Sequence, residues 1–383
     1  MRTALLLVMV AAQVGLAACS GPFGSSLPPG PVGIGLVTSL TGIDLPLGVD
    51  VRLGAQQAID EVNAAGGVDG HPVRLQVADD AGSAAQATLS AAAMLRRHMA
   101  GFIGPVNSGA ATAVAAWAAP KRLPLLSTLG DDALAASPGA FLAAPPASRA
   151  AERMLLYART ARLTTIAVAH PTGDAYADAG DRTLRTEAPR YGASIVSDQA
   201  FDPATVDFGP LLAAVRASGA DLLLAWGGGS GPPILVRAWQ PSGLQAPILL
   251  SPASATTAFL RAVSDAGDGA LVVATDSLLA ASMPAASKAV HRQVDPMAIA
   301  FERQNGYYPT QAAFDGYAAA RLLLKAIADA GSTDPSSVDA ALAQLQLATA
   351  AGTFRYSSDD HLGMPASWLA IAAIKGGRLA PVG

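Results

Sequence analysis

A single cysteine in 383 residues, Cys19, rules out any intramolecular disulfide, so the fold must be held by its core. Charged residues make up only 14% of the chain against 51% hydrophobic ones, a balance that excludes a disordered polyampholyte and leaves ample material for burial. The net charge is −4, and Arg and Lys are scattered rather than clustered. No basic footprint for a phosphate backbone exists, which excludes a nucleic-acid partner. No apolar run reaches the roughly 18 residues of a membrane-spanning helix. Walker phosphate loops, HExxH pairs and GxSxG nucleophile elbows are absent. The five histidines, His71, His98, His170, His291 and His361, are far apart, and none has a second His or Cys at ligand spacing. Neither a metal nor another cofactor is expected.

What is present begins at the N-terminus. Arg2, the apolar run from Ala4 to Val14 and then Leu16-Ala17-Ala18-Cys19 have the layout of a secretory signal over residues 1–18. Small residues before the cysteine resemble the bacterial lipobox, in which that cysteine is acylated and becomes the mature N-terminus. An ordinary signal peptide with an incidental cysteine is the alternative. Residues 19–30, rich in Gly, Ser and Pro, read as a flexible tether between anchor and fold.

From Val32 the chain alternates short apolar runs with Ala-rich segments of helical spacing, the pattern of a doubly wound α/β unit. Strands are expected at Val32–Ser39, Val73–Ala78, Gly101–Gly104 and Leu123–Ser127, with helices at Gly48–Ala65, Ala84–His98 and Ser108–Ala119. A second series follows a helix at Ser148–Ala161, with strands Thr165–Ala169, Ser194–Ala200, Asp221–Trp226, Pro247–Leu250 and Ala270–Thr275. Helices near Asp295–Asn305, Gln311–Ala330 and Ser336–Gln346 and strands near Thr353–Tyr356 and Trp368–Ile374 complete both sheets. A chain of this length suits two lobes rather than one core. The run Gly227-Gly228-Gly229-Ser230-Gly231 between strand and helix fits either a phosphate cradle or a tight turn needing positive φ.

Several segments then resemble one family. Ile34-Gly35-Leu36 with Leu40-Thr41-Gly42, the Gly48…Gly54-Ala55 spacing, and the stretch from Ala58 to Gly70 are similar to the first β-α-turn of type I periplasmic solute-binding proteins, the Leu/Ile/Val-binding branch. Ile103-Gly104-Pro105 with Ser108, Leu123 to Ser127, Ala246-Pro247-Ile248, Phe314-Asp315-Gly316-Tyr317 and Gly352-Thr353-Phe354…Asp360-His361 continue the likeness in order. The resemblance implies two Rossmann-like lobes joined by a three-strand hinge, with lobe one near 31–147 plus 275–349 and lobe two near 148–274 plus 350–383.

It also implies a ligand site. Ser108, after Asn107, matches a serine that holds the ligand carboxylate, although such a residue is equally an N-cap. Ser127, Thr128, Gly130 and Asp131 lie where the family has a hydroxyl-rich ligand loop, although Asp131 and Asp132 also suit a helix cap. Tyr176 matches a cleft tyrosine, with a core or rim aromatic as the alternative. Trp226 ends a strand at the cleft edge or belongs to the core. Ala253 stands about where amino-acid-binding members have an acid for the ligand ammonium, so either Asp131 supplies that charge or the ligand is a hydrophobic carboxylate. The function implied is a monomeric, lipid-anchored binder of a small carboxylate-bearing solute, delivering it to an ABC transporter permease without catalysis. A sensory or protein-binding lipoprotein on the same fold is the main rival. A hydrolase, with Ser108 or Ser127 as nucleophile, is a third reading, but no histidine lies at a recognisable motif spacing from either serine.

Overall fold

The computed structural model describes residues 27–283 and 287–382; the signal segment and Cys19 lie outside them. In chain order the first elements are β1 (Val32–Thr38), α1 (Leu45–Ala64), β2 (Val73–Asp79), α2 (Ala84–Leu95), β3 (Met99–Ile103), α3 (Ser108–Ala118), β4 (Leu125–Ser127), α4 (Asp132–Ala135) and β5 (Ala140–Leu142). Their strands form one parallel sheet in the order β2-β1-β3-β4-β5. Every residue of β1 is buried, as expected of a central parallel strand covered by helices on both faces.

The next elements are α5 (Ala147–Ala161), β6 (Thr165–Pro171), α6 (Ala175–Glu187), β7 (Ser194–Phe201), α7 (Gly209–Ser218), β8 (Leu222–Ala225), α8 (Gly231–Ser242), β9 (Ile248–Leu250), α9 (Thr257–Val263) and β10 (Leu271–Thr275). After them come α10 (Asp276–Leu279), α11 (Lys288–Asn305), α12 (Gln311–Ala330), α13 (Pro335–Leu342), β11 (Gln346–Thr349), β12 (Gly352–Arg355), β13 (Leu369–Lys375) and β14 (Arg378–Pro381). The second sheet has the order β14-β13-β10-β9-β8-β6-β7, with β13 antiparallel to both its neighbours and the other pairs parallel. Strand β7 alternates exposed and half-buried residues because it is an edge. The molecule is therefore α/β with two separate doubly wound sheets.

The chain leaves the first sheet after β5, returns after β10 to lay α12 against β3 and β4, and leaves again to place β13 in the second sheet. Side chains brace these passages. Thr275 Oγ1 donates to Gln311 Oε1 at 2.6 Å, Gln311 Nε2 donates to Asp315 Oδ1 at 2.7 Å, and Tyr356 donates its hydroxyl to the Leu142 carbonyl at 2.7 Å.

Helices α1 and α12 approach unusually closely, and glycine makes this possible. A Cβ on Gly54 would lie 1.9 Å from the Ala313 carbonyl oxygen, and one on Gly316 would lie 2.2 Å from that of Val51. The two helices thus exchange glycines at their crossing.

The expected elements are present with shifted ends, and four departures from expectation stand out. Strand β5 is only three residues long, flanked by Gly139 and a run of Ala and Pro, and β14 is a short edge strand; neither carries a readable alternation. Gln346, expected to end a helix, opens β11 instead, because α13 stops at Leu342. Pro296, a residue that often opens a helix, lies inside α11, which begins seven residues before the expected start.

Candidate functional site

Ligands of open α/β sheets lie outside the carboxyl ends of the strands, where the loops lead into helices. In the first lobe these are the turns from β3 into α3 and from β4 into α4. Asn107 is the N-cap of α3: its Oδ1 accepts the Ala110 N–H at 3.2 Å, and its Nδ2 donates to Asp44 Oδ2 at 3.0 Å, joining the start of α1. The cap reading of Ser108 is therefore corrected, since Asn107 performs it. Ser108 is the first helical residue and is exposed.

The next loop is more enclosed. Ser127 is locked onto its own turn, accepting the Leu129 N–H at 3.1 Å and donating to the Leu129 carbonyl at 3.2 Å. The Thr128 side chain is buried and its Oγ1 has no partner among the described residues. Gly130 accepts the Ala147 N–H through its carbonyl at 2.8 Å. Asp131, 4% exposed, caps α4 through Oδ1 and the Ala133 N–H at 3.0 Å, while Asp132 Oδ2 accepts the Ser148 N–H at 3.1 Å.

The second lobe meets this loop directly, α6 packing against α4. Asp174 caps α6, accepting the Ala177 N–H at 3.1 Å. Tyr176 lies over Gly130, where a Cβ would come within 3.1 Å of its ring. Its other side meets Trp226 edge to face, with centroids 5.7 Å apart. Burial, then the charges of Asp132, Asp174 and Asp315, drive the Tyr176 hydroxyl far above its ordinary range, so it stays protonated and can donate a hydrogen bond.

Trp226 carries no accessible surface: its ring covers Gly180 of α6, where a Cβ would lie 2.3 Å away. It forms the wall behind Tyr176 rather than an open cleft edge. Gly227 and Gly229 have φ of 92° and 74°, so the glycine run is a turn that requires positive φ. Ala253 faces Gly228, the two approaching at 3.8 Å from its Cβ to a Cβ built on the glycine. Asn107, Ser108, Ser127, Thr128, Gly130 and Asp131 thus gather at neighbouring strand ends of one lobe, and Tyr176, Trp226 and Ala253 at those of the other.

Sequence reasoning passed over Asp174 and gave Asp132 only a capping role. An acid directly before a helix reads as a cap, which hides its charge. Burial raises both carboxyls above the ordinary range; the Asp131 charge adds to the effect on each.

Among the described residues, one His/Asp group converges tightly: His170, Asp181 and Asp198 bring their ligand atoms within 4.8 Å. Arg185 already occupies it, donating to Asp181 Oδ2 at 2.7 Å and to Asp198. The group is an ion-pair network binding β6, β7 and α6 together. No described helix is long and apolar enough to cross a membrane.

The chain is 26% identical over 339 residues to Leu/Ile/Val-binding protein homolog 3 of Brucella melitensis, covering 87% of this chain and 89% of that one. Among solved structures it resembles the branched-chain amino acid transporter substrate binding protein LivJ from Streptococcus pneumoniae in complex with isoleucine. The TM-score is 0.76 at 20% identity, over 92% of this chain and 99% of the other. A solute binding protein from Rhodopseudomonas palustris in complex with benzoate has a TM-score of 0.72 at 20% identity, over 92% and 96%. These two structures share the fold. The profile of the periplasmic binding protein family matches residues 31–378, so with two sheets facing each other across loops at their strand ends, this chain belongs to the periplasmic binding protein family.

Proposed function

We propose that the protein captures a small carboxylate-bearing solute outside the cytoplasm by closing its two lobes, and hands it to the permease of an ABC importer without chemical change. The observation that carries this reading is the meeting of Tyr176 with Gly130 at the strand ends of opposite lobes, a contact that rigid-body closure would make and break. Ser108 and the start of α3 receive the carboxylate, while Thr128, Gly130, Asp131, Tyr176 and Ala253 surround the rest, with Trp226 fixing Tyr176 from behind. Branched-chain amino acids and hydrophobic or aromatic carboxylates both suit such a site. The isoleucine and benzoate held by the two structural neighbours span the same range.

Cys19 carries the lipid that tethers the lobes to a membrane. Replacing Cys19→Ala should release the protein into the soluble fraction; continued membrane retention would refute the anchor. A thermal-shift screen of amino acids and carboxylates tests the binding reading, since a ligand at about 100 times its dissociation constant adds roughly 2.7 kcal/mol to stability. A flat response across the whole screen would sink it.

A further inference from the structure

Three elements of the second lobe bring together chemistry that no local spacing in the sequence announces. Strands β6 and β7 pair in parallel, with Val168 opposite Asp198 and His170 opposite Ala200. Side chains alternate between the two faces of a sheet, so His170 shares a face with Val168 and hence with Asp198. Helix α6 packs on that face through Ala177 and Leu184, and its Asp181 and Arg185 stand one turn apart. One ligand atom each from His170, Asp181 and Asp198 thereby comes within 4.8 Å of the other two.

Arg185 engages only part of this group. It donates to Asp181 Oδ2 at 2.7 Å and to Asp198 Oδ2, which leaves one oxygen on each carboxylate. Asp181 is 9% exposed, and its Oδ1 is buried with no partner among the described residues. Buried polar atoms are nearly always satisfied, so this oxygen points to a further bonding partner. Asp198 Oδ1 lies 3.2 Å from His170 Nε2. Two ligands at about 2.0–2.1 Å from a tetrahedral zinc ion stand about 3.3 Å apart, so this pair is already spaced for one. His170 Nδ1 has no partner among the described residues, so the ring proton can sit there and leave the Nε2 lone pair to a metal. With His170 neutral, two carboxylates face one guanidinium, and the group keeps a net negative charge.

We propose that His170, Asp181 and Asp198 form a zinc site, distinct from the solute-binding residues, in which the metal exchanges with the Arg185 guanidinium. With Arg185 in place the group is an ion-pair network; with zinc in place the guanidinium turns out into water, as a side chain 43% exposed can do. One nitrogen and two carboxylate ligands suit zinc, whereas calcium and magnesium take oxygen ligands. A fourth position is left for water. The ligands come from β6, α6 and the edge strand β7, so zinc would fasten that edge to the helix whose first turn carries Tyr176. It would act on the firmness of the second lobe rather than on recognition of the solute.

Calorimetric titration of the purified, tag-free, EDTA-treated protein with zinc chloride tests this. Zinc should bind saturably, one ion per chain, and raise the melting temperature as a ligand of the folded state does. His170→Ala and Asp198→Asn should each weaken zinc binding at least about tenfold. Arg185→Gln removes the competitor and should tighten it at least about tenfold, a gain that damage to the fold could not produce. Absence of saturable binding below millimolar zinc would overturn the proposal. Unchanged affinity in His170→Ala would also overturn it, placing the metal elsewhere on the chain. An Arg185→Gln variant that binds zinc no better than wild type would overturn the exchange with the guanidinium. An equal response to calcium chloride would reduce the group to a general cation sink and overturn the zinc assignment.

Discussion

Asp276 opens α10 as the chain leaves β10, and burial holds its carboxyl up to about 6 against an ordinary 3.8, with Arg153 pulling the other way. Asp132, Asp174 and Asp315 are raised as well, burial being the first cause for each. A folded state that grips these protons more tightly than the unfolded chain binds more of them between about pH 4 and 6, so the unfolding free energy rises as pH falls through that window. Asp221 has the opposite sign: N–H groups of Thr164 and Thr165 hold its carboxylate below the ordinary range, so its contribution is lost only in stronger acid. The melting temperature should therefore climb from about pH 7 to about pH 5 and fall below about pH 4. Asp276→Asn should raise it at about pH 7 and flatten the climb. A wild-type melting temperature that declines steadily from neutrality to about pH 5 would show that these carboxyls ionise normally. At this scale the sequence was only partly legible. Asn107 and Ser108 are both good caps, and local preference does not choose between neighbours. Asp132 and Asp174 gain their significance from a neighbouring lobe more than 40 residues away along the chain.

The elements were more legible than the residues because period and punctuation are local. Buried parallel strands such as Leu222–Ala225 stand out as apolar runs, and Thr310 with Gly331 marks both ends of α12. What failed was short or edge structure: β5 and β14 exist because a neighbouring strand pairs with them, a cause no window of sequence contains. Glycine shows the same division. Gly54 and Gly316 are visible as glycines inside helical patterns, but only the packed helices explain them. Gly54→Ala would drive a methyl into the Ala313 carbonyl, an atom that no side-chain rotation can move aside. Alanine is the better helix former by about 1 kcal/mol, whereas overpacking costs typically 1–3 kcal/mol, and a backbone neighbour places this case at the upper end. Gly54→Ala should thus lower the unfolding free energy by about 1–2 kcal/mol in denaturant titration. A stabilised variant would mean that α1 and α12 can move apart freely.

For the whole molecule, the governing quantity is the balance between lobes held apart and lobes held together. The chain passages, braced by the Thr275–Gln311–Asp315 chain and the Tyr356–Leu142 bond, set an axis. Across the cleft two contributions oppose each other: Tyr176 packing on Gly130 favours closure, while Asp131 and Asp174 repel. A ligand shifts such an equilibrium only by the difference in its affinity for the two forms, so the apo balance sets part of the measured dissociation constant. Tyr176→Ala removes the ring that packs on Gly130 across the cleft, a loss to the closed form of roughly 1–2 kcal/mol on apolar area. The ring's contact with Trp226 lies within one lobe and persists on opening, so only the loss at Gly130 weighs against closure. Small-angle scattering should then show a larger radius of gyration for the ligand-free variant than for wild type. Both should converge at saturating ligand, with the dissociation constant raised about tenfold. If the ligand-free radius is unchanged and affinity still falls, Tyr176 acts on the ligand directly and closure is governed elsewhere.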